Sequence, residues 1–346
     1  MKTDLLDYFI PEELIAQTPP KERGGSRLLD FSLSANSAKD RVFSDIVQIL
    51  DDRYFLILND TQVIPARIPS KKNTGGGREI LFLSKVNEYE FIALVRAKIR
   101  AGETLLAGEA AIKVIAPADA PYGAWLLSSD LPIDTLISIC GQVALPPYIR
   151  REAVEGDKVR YQTVYAHKNI FLDGSAAAPT AGLHFTDNIL KALEERGVEA
   201  AHLTLQVGIG TFRPIKTESV EEHVIHSERY QINGEVAEKI NLLMDKGKIP
   251  LCVGTTAVRA AESAAIKAGQ SYRLKGGVGE TNIFITPGYN FKIAQALLTN
   301  FHLPRSTLLL LVSAFTGLNT LKNLYSHAVK ERYRFFSYGD AMLIRP

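Results

Sequence analysis

The sequence predicts an α/β protein carrying a separate all-β stretch, and three observations predict it. Beyond residue 160, strand-like apolar segments alternate with amphipathic helical ones. From about residue 62 to 155, short apolar segments are divided by turn residues with almost no helical period. The length of 346 residues exceeds what one hydrophobic core usually organises, so two domains, or one with an insertion, are expected.

In chain order, RYFLILNDTQVIPARI from Arg53 to Ile68 reads as a buried strand broken by the turn-forming pair Asn59-Asp60. The segment KKNTGGGR, Lys71 to Arg78, is a loop or hairpin tip. The runs EILFLSKVNEYEFIALVRA, ETLLAGEAAIKVIAPA and GAWLLSS then suggest a small barrel or sandwich. Thr186 to Gly197 predicts a helix with Thr186 as N-cap and Gly197 as C-cap. After it come the strand VEAAHLTLQVGIG, a helix near Glu235 to Lys246, the strand IPLCVG and a helix from Thr256 to Ala268. A strand NIFIT and helices near Ser306 to Thr316 and Thr320 to Tyr333 complete the chain.

Lys and Arg exceed Asp and Glu by 40 − 38 = 2, so no global field gathers a polyanion and nucleic acid would have to bind through local patches. Cys140 and Cys252 stand far apart without CxxC spacing, which argues against a disulfide framework or a thiolate zinc site. The start MKTDLLDYFIPEEL lacks the basic and apolar regions of a signal peptide, and Leu308 to Phe315 is too short to span a membrane, so a cytoplasmic location without membrane contact is expected.

Several motifs have the composition of ligand sites. GSAAAPTAGLHF, Gly174 to Phe185, sets small residues before His184 and a helix start, where a ligand can approach free N–H groups. A tight turn packed on the core explains the same letters. Gly208 to Pro214 could cradle an anion with help from Arg213, but it lacks the third glycine of a dinucleotide fingerprint. HVIHSE supplies His223, His226 and Glu228, without the HExxH spacing of a zinc helix, and these suit acid–base work better than metal binding. GTTAVR puts Thr256 at a helix start and Arg259 one turn in, a geometry for a carboxylate; an N-cap with Arg259 paired to Glu262 is the alternative. TNFHLPRST and RFFSYGDA mix His302, Arg305, Arg334 and Asp340 with aromatics, as base-stacking sites do and as cores do. Lys275 to Gly279 is glycine-rich and reads as a hairpin loop.

Together with LNDTQVIPARI, LPPYIR, YQTVYA and HSE, these motifs in this order resemble the queuosine-pathway tRNA ribosyltransferase-isomerase family, from LDYFIPEELIAQTP to the final GDAMLIRP. Gln206 and Ala257 depart from its pattern, where His and Ser are expected. The resemblance implies a barrel-like α/β domain, residues 1–61 plus 156–346, with a small β-barrel inserted at 62–155. It implies transfer and isomerisation of the ribosyl part of S-adenosylmethionine onto 7-aminomethyl-7-deazaguanine at the tRNA wobble position, giving epoxyqueuosine, adenine and methionine. S-adenosylmethionine is then a consumed substrate, with no other cofactor and no metal, and a monomer is expected.

On that footing His184, His226 and Glu228 are assigned the acid and base work, and Thr180, Gly182, Thr256 and Arg259 the binding of S-adenosylmethionine. Asp60, Arg67, Arg213 and His302 are assigned to the base or ribose site, and Lys71, Lys72, Arg78 and Arg334 to the tRNA backbone. Two readings compete: an RNA-binding scaffold without catalysis, and a metal-dependent hydrolase using HVIHSE.

Overall fold

The computed structural model describes residues 1–120, 122–167, 173–208, 210 and 214–346. Its strands are β1 (Arg27–Ser32), β2 (Ser37–Val42), β3 (Tyr54–Asn59), β4 (Arg67–Lys72), β5 (Gly77–Lys85), β6 (Glu90–Arg96), β7 (Thr104–Ala107), β8 (Ala110–Pro117), β9 (Trp125–Ser129), β10 (Glu199–Leu205), β11 (Glu228–Ile232), β12 (Ile249–Val253), β13 (Ala265–Ala268), β14 (Ser271–Leu274), β15 (Gly277–Thr281), β16 (Ala296–Asn300) and β17 (Ala341–Arg345). The α-helices are α1 (Ile46–Ile49), α2 (Ile133–Cys140), α3 (Glu155–Arg160), α4 (Asp187–Glu195), α5 (Gly234–Asp245), α6 (Thr255–Ser263), α7 (Thr307–Thr316) and α8 (Leu318–Lys330).

A nine-stranded mixed sheet, ordered β15-β11-β10-β3-β12-β16-β17-β1-β2, forms the larger part. Its interior strand β3 is buried along its whole length, as a strand covered on both faces must be. Phe55 and Ile57 face a core shared with α5, α6, α7 and α8, while Tyr54, Leu56 and Leu58 face one shared with α1 and α4. Strands β10, β3, β12 and β16 run parallel, so their carboxyl ends, at Leu205, Asn59, Val253 and Asn300, lie along one edge of the sheet. Ligands in such sheets bind outside the carboxyl ends of the strands.

The chain leaves β3 at that edge and enters a closed barrel, β4-β5-β6-β9-β8-β7. Alternation supplies its interior: Phe91 and Ala93 of β6 and Ile112 and Val114 of β8 are fully buried. The return passes beside the exit, with Val63 bridged to Ser175 and Thr61 to His167. The barrel therefore stands over the sheet edge where the parallel strands end.

Helix α4 forms where expected: the Thr186 hydroxyl accepts the Ile189 N–H at 3.2 Å, and Gly197 closes the helix at φ 80°. Lys71 to Arg78 is a hairpin tip between β4 and β5. The apolar run at Leu308 is helix α7, buried from Leu309 to Val312.

Three expectations need correction. The stretch 62–155 is not all β, because Ile133, Leu136 and Ile137 sit one helical turn apart on α2 and close the barrel core. The helix begun at Thr255 stops at Ser263, and Ala265–Ala268 instead pairs with Ser271–Leu274 as a hairpin. NIFIT forms no strand; the glycine-rich segment before it does, as β15 against β11. Gly279 permits this pairing, since a Cβ there would lie 2.7 Å from the Tyr230 ring. No helix among the described residues is long and apolar enough to cross a membrane.

Candidate active-site cleft

A cleft of about 500 Å³ opens between the barrel and the ends of the parallel strands. Leu83 and Ser84 line it from the barrel, where a bulge in β5 shifts the register between Phe82 and Ser84. Gln206, Val207 and Gly208 line it from the end of β10, His226 from the loop before β11, and Glu228 and Arg259 from β11 and α6. Glu228 and Arg259 form an ion pair with side chains only 9% and 11% exposed. The Gly208 N–H donates to Glu228 Oε1 at 3.2 Å and Arg259 Nη2 donates to the Thr281 carbonyl at 3.4 Å, so the pair has support on both sides. Arg259 is therefore not the partner of Glu262. The Glu262 carboxylate instead accepts N–H groups of Lys292, Ile293 and Ala294 and the Tyr289 hydroxyl, which ties α6 to the chain before β16.

His226 is half-buried at the cleft wall with its ring edge-on to Tyr122, centroids 4.2 Å apart. His223 faces Phe284, and burial, with the His226 charge second, lowers its pKa from the ordinary value. Among the described residues no group of three His, Cys, Asp or Glu side chains is arranged to hold a metal ion.

Three further spaces adjoin this cleft. A groove of about 750 Å³, sharing Tyr122 and Ala176 with it, runs along the barrel and carries Arg67, Arg96, Arg150 and Arg151. On the other side, Val207 and Leu308 separate the cleft from a small cavity of about 30 Å³ at the start of α6, lined by Thr180, Thr256, Asn300 and His302. A second cavity of about 30 Å³ touches the first through Thr180, Asn300, His302 and Leu308.

The residues singled out from sequence fall into separate places. His226, Glu228 and Arg259 meet in the cleft, and Thr180, Thr256 and His302 meet at the inner cavities. Thr256 and Arg259 thus face different spaces and do not clasp one carboxylate together. His184, assigned acid and base work from the sequence, is buried in the core. It is 4% exposed, its Nδ1 lies 2.7 Å from the Ser26 hydroxyl and its Nε2 3.2 Å from Asn300 Nδ2, and burial lowers its pKa to about 4. His302 resembles it: Nε2 lies 2.7 Å from the Thr299 hydroxyl, and burial lowers its pKa to about 3. Gly182 has a packing reason to be glycine, because a Cβ would overlap the Tyr165 hydroxyl.

Asp60, Arg67 and His302 do not converge. The Asp60 carboxyl accepts the Thr204 hydroxyl at 2.6 Å and is raised above its usual pKa by burial, while Arg67 pairs with Glu79 at 2.8 Å in the barrel groove. Arg213 lies outside the described residues. Of the cations assigned to RNA, Lys72 pairs with Glu103 at 2.8 Å, Arg78 donates to the Gly77 carbonyl at 2.7 Å and Arg334 donates to the Thr18 carbonyl; Lys71 is exposed at the hairpin. Phe335, Phe336 and Tyr338 of RFFSYGDA are core.

Sequence reasoning did not single out Tyr122, Asn300 or the groove residues Arg96 and Arg151. Tyr122, at φ 67° in the turn before β9, was visible as the middle of Pro121-Tyr122-Gly123. Asn300 carried only the signal of a polar residue ending a buried strand.

An α/β sheet with a barrel inserted at its ligand-binding edge, and an ion-paired cleft between the two, defines a two-part protein built to hold a ligand where its parts meet. The sequence matches the model of the family described as queuosine biosynthesis protein over residues 3–344, and the chain belongs to that family. It is 46% identical to the S-adenosylmethionine:tRNA ribosyltransferase-isomerase of Halothermothrix orenii, over 99% of this chain and 100% of that protein. It is 45% identical to the protein of the same name from Clostridioides difficile, over the full length of both. The crystal structure of S-adenosylmethionine tRNA ribosyltransferase from Thermotoga maritima is similar too, with a TM-score of 0.55 and 34% identity over 98% of this chain and 99% of that one.

Proposed function

We propose that the protein is an S-adenosylmethionine:tRNA ribosyltransferase-isomerase. It moves the ribosyl part of S-adenosylmethionine onto the aminomethyl group of 7-aminomethyl-7-deazaguanine at the tRNA wobble position, and epoxyqueuosine-tRNA, adenine and methionine result. The observation that carries the reading is full-length likeness to proteins of that name, joined to a cleft of nucleoside size at the carboxyl ends of the parallel strands.

In this reaction C5′ of the ribose loses its bond to sulfur and C1′ its bonds to adenine and to the ring oxygen, while C1′ gains bonds to the aminomethyl nitrogen and to C5′, and the oxygen closes on C5′ as the epoxide. The sulfonium acidifies the neighbouring ribose carbon, so a base removes a proton there, an acid assists adenine, and the amine must arrive unprotonated. In our reading His226 is the proton carrier, because it stands at the cleft wall while His184 and His302 are enclosed. Glu228, held by Arg259 and the Gly208 N–H, is the fixed negative charge beside the sulfonium.

The insert, taken as residues 62–155, offers the RNA side: Arg67, Arg96, Arg150 and Arg151 face one groove that joins the cleft at Tyr122. The barrel hairpin at Lys71 is a further backbone contact. One chain supplies every wall named, so the reading needs no second copy and expects a monomer. It needs no metal, and a tRNA substrate puts the reaction in the cytoplasm.

Incubation with S-adenosylmethionine and tRNA bearing the aminomethyl-deazaguanine, following adenine release and the mass of the modified nucleoside, tests the reading. Adenine release with a ribosyl-derived mass gain is expected. Binding of tRNA without either product would leave the scaffold reading standing instead.

A further inference from the structure

Two residues lining the inner cavity at the start of α6 carry buried polar atoms without a partner among the described residues: Thr256 Oγ1 and Asn300 Oδ1. Thr256 is 6% exposed and Asn300 2%. An unsatisfied polar atom at such depth is destabilising, and two beside one space call for an occupant.

The chemistry of that occupant follows from the partners around it. Asn300 Nδ2 donates to the Phe336 carbonyl at 3.0 Å and approaches His184 Nε2 at 3.2 Å. A carbonyl oxygen can only accept, so the amide cannot be turned over without setting oxygen against oxygen. With Nδ2 donating, His184 carries its proton on Nδ1 and gives it to Ser26 Oγ, 2.7 Å away. Phe336 and His184 thereby lock the Asn300 carbonyl oxygen towards the cavity, where it requires a donor. Opposite stands the first turn of α6, a nine-residue helix whose N-cap is Gly254 at φ 91°, with no side-chain cap on its free N–H groups. That end attracts an anion, and the Thr256 hydroxyl can donate to the same anion. The occupant therefore presents a negative acceptor to α6 and a donor to Asn300. The space, two adjoining volumes of about 30 Å³, suits a few heavy atoms rather than a nucleoside.

We infer that this cavity holds the α-amino-acid end of S-adenosylmethionine, its carboxylate at the start of α6 and Thr256 and its ammonium on the Asn300 carbonyl. The inference rests on the reading that S-adenosylmethionine is the substrate. Val207 and Leu308 are shared walls of cavity and cleft, so the amino-acid end enters here while the nucleoside stays in the cleft beside Glu228. His184 acts through Asn300 and is a positioning residue. Discrimination follows: methylthioadenosine, which keeps the nucleoside and lacks the amino-acid end, gains nothing from this cavity.

Calorimetric titration of both compounds against the full-length protein and its Thr256→Val and Thr256→Ser variants tests this. Valine fills the same volume and removes a hydroxyl that has no protein partner, so the melting temperature holds or rises. Thr256→Val should weaken S-adenosylmethionine about tenfold, the loss of one charge-assisted hydrogen bond, and leave methylthioadenosine unchanged. Thr256→Ser should bind both as the parent does. Equal losses for the two ligands would seat the nucleoside in the cavity and overturn the assignment. So would unchanged binding of both, the result if only water occupies the space. Adenine release by the parent protein with substrate tRNA reports separately on the reaction, so the cavity assignment can fail while that reading stands.

Discussion

The inner end of the sheet and the cleft before it use the same residue type in opposite ways. At the inner end, His184 has both ring nitrogens within hydrogen-bond reach and His302 has one, and burial holds their pKa values at about 4 and about 3. Rings so enclosed stay neutral at pH 7, and they orient Asn300 and Thr299. In the cleft, His226 keeps one edge against Tyr122 and a share of solvent. A histidine in a motif can exchange protons only where the fold leaves it room, and it is this contrast on which the proposed role of His226 rests.

The largest test removes the cleft's charge pair. Arg259→Met leaves Glu228 a buried carboxylate without its cation, and removing one partner of such a pair lowers stability by about 3–5 kcal/mol. Chemical denaturation should register that loss, and adenine release should vanish even at temperatures where the variant remains folded. Persistent turnover by the folded variant would detach the chemistry from this pair.

Next, His226→Gln should reduce kcat by about 10²- to 10⁴-fold, the usual worth of a positioned acid or base, with the melting temperature nearly unchanged. His184→Gln should do the reverse, lowering the melting temperature while costing less in kcat. If the two variants exchanged these signatures, the division between inner end and cleft would be wrong.

Some of this division was legible in the sequence and some was not. Thr186 and Gly197 announce α4 because caps act within a few residues, and the insertion shows as a loss of helical period. Helix α2 escaped because eight residues carry a single apolar turn between strands. Strand β15 escaped because its glycines look like a loop until the Tyr230 ring of β11 explains them. HSE and GTTAVR were found, but not that Glu228 and Arg259 join across 31 positions, which only the packing of α6 on the sheet decides. The burial of His184 was not legible because a small-residue turn reads alike whether it faces a ligand or Phe43.

The inner histidines also predict a pH dependence. For His184 the folded pKa, about 4, lies below the ordinary value of 6.5, so between these values the unfolded chain binds more protons. Its contribution is whole above pH 6.5, falls as the pH drops, and is lost by about pH 4, amounting to roughly 3 kcal/mol at most. Melting temperatures of the parent across this window should decline on acidification, and His184→Gln should decline less steeply. Parallel curves would mean that His184 does not titrate as its burial requires.

The smallest effect separates the groove from the hairpin tip as the RNA-facing surface. Lys71 is exposed while Lys72 is engaged with Glu103; in the groove Arg67, Arg150 and Arg151 are ion-paired with Glu79, Glu12 and Asp157, and Arg96 is exposed. A single phosphate contact contributes little and is weakened by salt. Lys71→Ala should therefore raise KM for tRNA only about two- to threefold at low salt, and the difference should fade near 200 mM salt. Arg96→Ala, in the groove, should cost more at the same ionic strength, because a groove contact also fixes where the wobble base arrives. A larger loss from Lys71 than from Arg96 would move the RNA onto the hairpin side of the barrel and leave the groove to serve the fold alone.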